Sequence, residues 1–175
     1  MDDPRFPKTV FLLMLLAGLL EWERYYPRLP EKMAAHFNFE GLPNGWMPKD
    51  VFFLLMLVVA VGSASIIAFL SPRIIASRPD NQINLPHKDY WLAPARREAT
   101  FRFIAAQMGW FGCAVLFVLL FGTYLAIQAN LSPDFRFDNA TMIKVMAGFL
   151  FLTLLWMIRF IRHFVRVPPD ASSRP

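Results

Sequence analysis

The sequence predicts an all-α membrane protein with four transmembrane helices and a structured outer loop between the first two. Three observations lead there. Hydrophobic residues make up 56% of the 175 residues and charged residues only 18%, whereas about a quarter of a soluble domain is charged. The apolar residues gather into four runs, each near or above the ~17 residues that a helix needs to cross a bilayer. The stretches between the runs are polar, and one of them, 24–50, specifies far more backbone than a slack connector would. Residues 1–175 therefore read as a single integral membrane domain.

The first span is expected at about 6–23, around the apolar stretch Thr9 to Leu20. A cleaved signal is disfavoured by the acidic start at Asp2 and Asp3, the lack of a small-x-small site, and the Glu21-Trp22-Glu23-Arg24 that follows. Trp22, Tyr25 and Tyr26 would then sit at the membrane surface as an aromatic belt. The second span, 51–70, carries no charge, and Ser71-Pro72 is expected to end it. Ala60, Ala64 and Ala68 recur in it every four residues, leaving one face smooth enough for a neighbouring helix to come close. The third, about 103–127, has a similar stripe in Ala105, Gly109 and Cys113, with Gln107 as a polar exception. The fourth, about 141–158, has Asp138 or Asn139 as its N-cap. Internal helix packing is the first reading of both stripes, and a dimer face the second.

Four spans put both termini on one side. Twelve Lys and Arg accompany the termini and the 71–102 loop, against six in the 21–50 and 129–144 connections. The positive-inside rule then places the termini and the 71–102 loop in the cytoplasm and the 24–50 loop outside. The net charge of +5 follows from that asymmetry and does not call for a nucleic-acid partner.

The outer loop can be read in parts. Leu29-Pro30 is an extended entry, since the residue before proline is pushed out of the helical region. Met33 to Phe39 is expected to be extended, and Gly41-Leu42-Pro43-Asn44-Gly45 to form a tight turn. Trp46 suits an interfacial anchor, and Pro48 the first turn of the next helix. The cytoplasmic loop has its own pattern, Asn84-Leu85-Pro86 and then Lys88-Asp89-Tyr90-Trp91-Leu92-Ala93-Pro94-Ala95-Arg96-Arg97. Pro94 reads as the first residue of a helix that continues into the third span. Lys88, Tyr90, Trp91, Arg96 and Arg97 would meet anionic lipid headgroups, each basic residue contributing about 1 kcal/mol near the surface. The tail Arg159-x-x-Arg162-His163-x-x-Arg166 repeats that pattern.

No acid or base lies in the cores of the second, third and fourth spans, which argues against a pump or carrier. No nucleophile–base pair, phosphate-cradling glycine loop or metal-ligand spacing is present, so the chain is not expected to be an enzyme or to hold a metal or cofactor. For His36, a loop histidine bonded to the nearby turn is weighed against a ligand or pH-sensitive contact. Axial ligation of a porphyrin-type pigment by His36, His87 or His163 is a minor alternative. Cys113, in an apolar run without a nearby base, reads as inert.

The stretch Leu29-Pro30…His36-Phe37-Asn38…Gly41-x-Pro43-Asn44-Gly45-Trp46-x-x-Lys49, following a first span, resembles the N-terminal domain of unknown function of SdpI-type bacterial membrane proteins. The Asn84-Leu85-Pro86…Tyr90-Trp91-Leu92-Ala93-Pro94…Arg96-Arg97-Glu98 segment looks like the cytoplasmic loop of a subset of them. Asn44 stands where that family has Asp, and Ala34 where many members have a second proline. The resemblance implies a bacterial inner-membrane protein whose outer loop senses or blocks a secreted peptide. The expected contact residues are His36, Asn38, Gly41, Pro43, Asn44, Gly45, Trp46 and Lys49. A structural accessory subunit, packing against other subunits, lipids or pigments, is the alternative.

Overall fold

In the computed structural model, which describes residues 3–167, the chain begins with α1 (Arg5–Tyr25), a helix of 21 residues. It buries Pro7, Phe11 and Trp22 and leaves Leu12, Leu13, Leu16 and Leu20 exposed on another face. A 3-10 turn, Tyr26–Arg28, and the extended Leu29 lead into two antiparallel strands, β1 (Lys32–Phe37) and β2 (Pro43–Pro48). Met33 pairs with Met47, Ala34 with Trp46 and His36 with Gly45, with a bulge between Ala34 and His36.

This hairpin corrects the all-α expectation, and it moves the turn. The reversal falls at Asn38 to Leu42, and Pro43, Asn44 and Gly45 already belong to β2. Asn38 drives it: its Oδ1 accepts the N–H groups of Glu40 at 3.0 Å and Leu42 at 2.9 Å, and its own N–H reaches the Leu42 carbonyl. Gly41 supplies the positive φ of 79° that an L side chain resists. Pro43 is tolerated at the first position of a strand, where a missing donor costs no ladder bond.

Pro48 ends β2 and stands at the N-cap position, one residue before the expected first turn, of α2 (Lys49–Ser65), which runs through a π turn, Ile66–Leu70, into α3 (Ser71–Ser77). Ser71-Pro72 therefore does not end the helix. Pro72 has no N–H to offer and its ring crowds the preceding turn. The π turn absorbs this by widening the ladder by one residue, so that the Ser71 N–H bonds the Ile66 carbonyl, and the Ser71 hydroxyl donates to the same oxygen at 2.9 Å.

The 71–102 loop is largely helical. After a 3-10 turn, Asp80–Gln82, and the single turn α4 (Lys88–Trp91), Pro94 opens α5 (Pro94–Leu131), 38 residues long. The last helix, α6 (Asn139–Val165), is capped by Asp138, whose carboxylate accepts the Thr141 N–H at 2.9 Å.

Among the described residues, three helical stretches are long and apolar enough to cross a membrane: Lys49–Ser77, Pro94–Leu131 and Asn139–Val165. All three exceed the bounds read from the sequence. The first helix falls short because Lys8 and Glu21 bracket an uncharged stretch, Thr9 to Leu20, which rises only about 18 Å.

The hub is α5. Ala60, Ala64 and Ala68 are buried against it, and a Cβ built on Gly112 would lie 2.5 Å from the Ala68 Cβ and 3.0 Å from the Ala64 carbonyl. On another side, Gly109 of α5 meets Pro7, and Gly18 of α1 meets Leu120. The close approach on α5 thus falls at Gly109, Gly112 and Cys113, while Ala105 is only half-buried. On α6, by contrast, Phe164 is the buried residue among those described. Rings join it to α5: Phe111 stacks on Trp156 with centroids 5.0 Å apart, and Phe103 on His163 at 3.9 Å. The indole N–H of Trp156 also donates to Gln107 at 3.0 Å.

Candidate functional site

The eight residues singled out from the 24–50 segment come together in and beside the hairpin, where they do two different jobs. Asn38, Gly41, Gly45 and Lys49 hold it in place. A Cβ on Gly41 would lie 2.5 Å from the Phe137 carbonyl, so only glycine lets the turn press against the α5–α6 connection. The Phe137 N–H donates to the Gly41 carbonyl at 2.9 Å across that contact. Gly45 faces the His36 Cβ at what would be 2.9 Å, which leaves room for the bulge.

Lys49 is buried, with its ammonium 3.1 Å from the Glu31 carboxylate and 4.5 Å from the Tyr26 ring centroid. A buried ammonium needs such company, because water is not there to solvate it. Glu31 itself is exposed, and its backbone carbonyl accepts the Lys49 N–H at 2.9 Å. Beside this pair the Tyr26 hydroxyl donates to the Asp50 carboxylate. That bond, followed by partial desolvation and the nearby negative charges, raises the Tyr26 phenol above its ordinary value.

The remaining strand edge is held by residues that sequence reasoning missed. Asn130, near the end of α5, accepts the Ala34 N–H at 2.8 Å and donates to the Ala34 carbonyl at 2.9 Å, pairing β1 as a third strand would. Its amide also donates to the Ala126 carbonyl at 2.9 Å. Asn139 donates to the carbonyls of Asn38 at 3.1 Å and Phe39 at 2.9 Å. Phe137 packs on Phe37, and Phe135 on Trp46. The one sequence signal for Asn130 was an amide side chain placed just past an apolar run.

The other residues point outward. His36 and Asn44 are exposed and joined to each other through the imidazole Nδ1 and the amide Oδ1. Trp46 shares that face, 43% exposed, and Phe39 stands fully exposed at the tip. Pro43 is half-buried. The result is a platform, hydrogen-bonded to the helices and their connection at Ala34, Asn38 and Gly41, that carries two exposed aromatic rings and a polar pair. No group of three His, Cys, Asp or Glu able to hold a metal occurs among the described residues.

At the opposite end, the residues singled out in the 71–102 segment also separate. Arg97 is committed to the fold through Asp80 at 3.2 Å and the Ala76 carbonyl at 3.3 Å. The Trp91 indole donates to the Phe164 carbonyl at 3.0 Å, and its own carbonyl receives the Thr100 hydroxyl. Arg96 lies over the Tyr90 ring at 4.0 Å, and Lys88 is exposed.

Residues 9–61 match the model of a family described as a domain of unknown function, DUF1648. The match takes in most of α1, the whole hairpin and most of α2. No curated protein and no solved structure matches the chain.

Proposed function

We propose that the chain is a non-enzymatic, four-span protein of the bacterial cytoplasmic membrane, SdpI-like, which binds a peptide or protein partner through its outer hairpin. The observation that carries this reading is the hairpin itself. Its backbone is pinned by Asn130, Asn139 and Gly41, yet it holds Phe39 fully exposed and Trp46, His36 and Asn44 on an outward face. A pre-organised platform with aromatic anchors lowers the ordering cost of binding, and aromatic residues contribute most where a partner covers them.

Four spans are supported by the position of α1. It lies beside α5 from the Pro7–Gly109 contact to the Gly18–Leu120 contact, so it shares the depth of an apolar helix despite its charged ends. Both termini are then cytoplasmic by the distribution of Lys and Arg, and the hairpin is outside.

A second reading, an accessory subunit of a larger membrane complex, draws on α6. Its apolar window has no buried residue, and Leu150, Phe151, Leu154 and Leu155 are all exposed. One experiment compares the two: a photo-reactive amino acid placed at position 39 or at position 151 in membranes of the native host. Adducts of defined mass from position 39, lost on Trp46→Ala, support hairpin binding. Adducts from position 151 alone favour the accessory subunit and sink the first reading.

A further inference from the structure

Between the cytoplasmic ends of α1, α3 and α5 lies an open cleft of about 530 Å3. Its rim carries Lys8 from α1, Arg73 from α3 and Arg102 from α5. Its wall toward the bundle is apolar, formed by Phe69, Pro72, Phe101 and Ala105. Arg97 also borders it but is committed to Asp80. Among the described residues the acid on the rim is Glu98, exposed and 4.0 Å from Arg102. Among the described residues no carboxylate lies within ion-pair distance of Lys8 or Arg73. Lys8 and Arg102 also border a second cleft that holds Arg5, Arg96 and Asp3. Positive charge is therefore in excess on both sides, and bringing like charges together is unfavourable unless an anion joins them.

We propose that this cleft binds an anionic phospholipid of the cytoplasmic leaflet. The phosphate lies against Lys8, Arg73 and Arg102, and an acyl chain runs along Phe69, Phe101 and Ala105. The charge pattern selects an anion, and the apolar wall directly beneath it selects one that carries a hydrocarbon chain rather than free phosphate. This site differs from a general attraction of the basic loop for headgroups, because its cations come from three separate helices and converge on one apolar groove. The proposal depends on the helices lying in a bilayer and is independent of what the hairpin binds.

The test uses the full chain, purified in mild detergent and titrated with phosphatidylglycerol or phosphatidylcholine under native mass spectrometry. One phosphatidylglycerol is expected to bind more tightly than any phosphatidylcholine. Lys8→Ala with Arg73→Ala is expected to weaken it about thirtyfold, at about fivefold for each surface charge. The charge-preserving pair Lys8→Arg and Arg73→Lys should retain the lipid, and Arg159→Ala with Arg162→Ala on the tail should leave affinity unchanged. Equal weakening by the tail pair would reduce the site to diffuse charge. Displacement of the lipid by equimolar glycerol phosphate would make it a site for soluble phosphate, and either result overturns the proposal. Crosslinking from the hairpin should be unaffected throughout, so the two readings fail separately.

Discussion

The hairpin and α6 are both attached to α5, and they are attached by opposite means. Asn130 of α5 grips β1 with two hydrogen bonds to one residue, Ala34, and Phe137 of the α5–α6 connection and Asn139, the first residue of α6, bind the turn beyond it. Along α6 the attachment is mostly a run of rings, from Phe149 and Trp156 on Phe111 to His163 on Phe103. The difference follows from the backbone. A helix satisfies its own N–H and C=O groups and needs only surfaces that fit, whereas a two-stranded hairpin leaves both outer edges open. Where such an edge is buried against helices, the bundle must supply donors and acceptors at fixed points. Directional bonds therefore hold the irregular end and shape holds the regular one, so the two should respond differently to substitution.

The largest expected effect is at Asn130. Asn130→Ala leaves the buried N–H and C=O of Ala34 unpaired and should cost about 3 kcal/mol, from about 1–3 kcal/mol for each unsatisfied group. Unfolding in bicelles would register the loss, and limited proteolysis should show new cleavage between residues 32 and 48. If the strands stay protected, the amide is not what pins them. Next is Gly41→Ala, which combines a strained positive φ with a clash on the Phe137 carbonyl and should cost about 2 kcal/mol. It should loosen the hairpin while leaving the protection of α6 amides to hydrogen exchange unchanged.

A smaller effect is expected on the α6 side. Trp156→Phe keeps a ring against Phe111 but removes the bond to Gln107, and should cost about 1 kcal/mol, in the range of interhelical hydrogen bonds in membranes. Trp156→Ala should cost clearly more. Equal losses for the two variants would mean that the hydrogen bond, not the stack, holds the seam.

The smallest effect is a pH response. Because the hydrogen bond to Asp50 raises the Tyr26 phenol, folding is favoured by the protonated form. That contribution is complete below the ordinary phenol value of about 10 and is lost as pH rises through the higher folded value. Absorbance titration should show one tyrosine ionising late, and Tyr26→Phe should remove that late phase. A wild-type profile identical to that of Tyr26→Phe would argue against the pairing.

Several of these features could be read in advance. The apolar runs, the N-cap Asp138 and the helix-opening Pro94 each depend on neighbours in sequence, and each is where local rules place it. The turn was misplaced for a local reason as well. Gly41-Leu42-Pro43-Asn44-Gly45 has turn chemistry, but Asn38 competes with it by bonding two backbone N–H groups ahead of it, and that bonding starts the reversal three residues earlier. The small-residue stripe on α2 was visible, whereas Gly112 as its closest counterpart on α5 depends on the azimuth at which the two helices meet.

What the sequence determined by itself is the membrane character of the chain: an apolar composition, four apolar runs of which three form helices long and apolar enough to span, and a patterned polar segment after the first helix. It also determined that the segment holds a reversal, but not where, since Asn44 and Gly45 lie in a strand and the turn forms at Asn38 to Leu42. The tertiary structure alone decided that Asn130 completes a strand 96 residues away, that Lys49 is buried beside Glu31, and that Lys8, Arg73 and Arg102 share one cleft. Local sterics and hydropathy act between neighbours in the chain and can be read from it. Satisfaction of a buried polar group depends on which distant atom arrives within about 3 Å, and only the packed bundle brings that atom there.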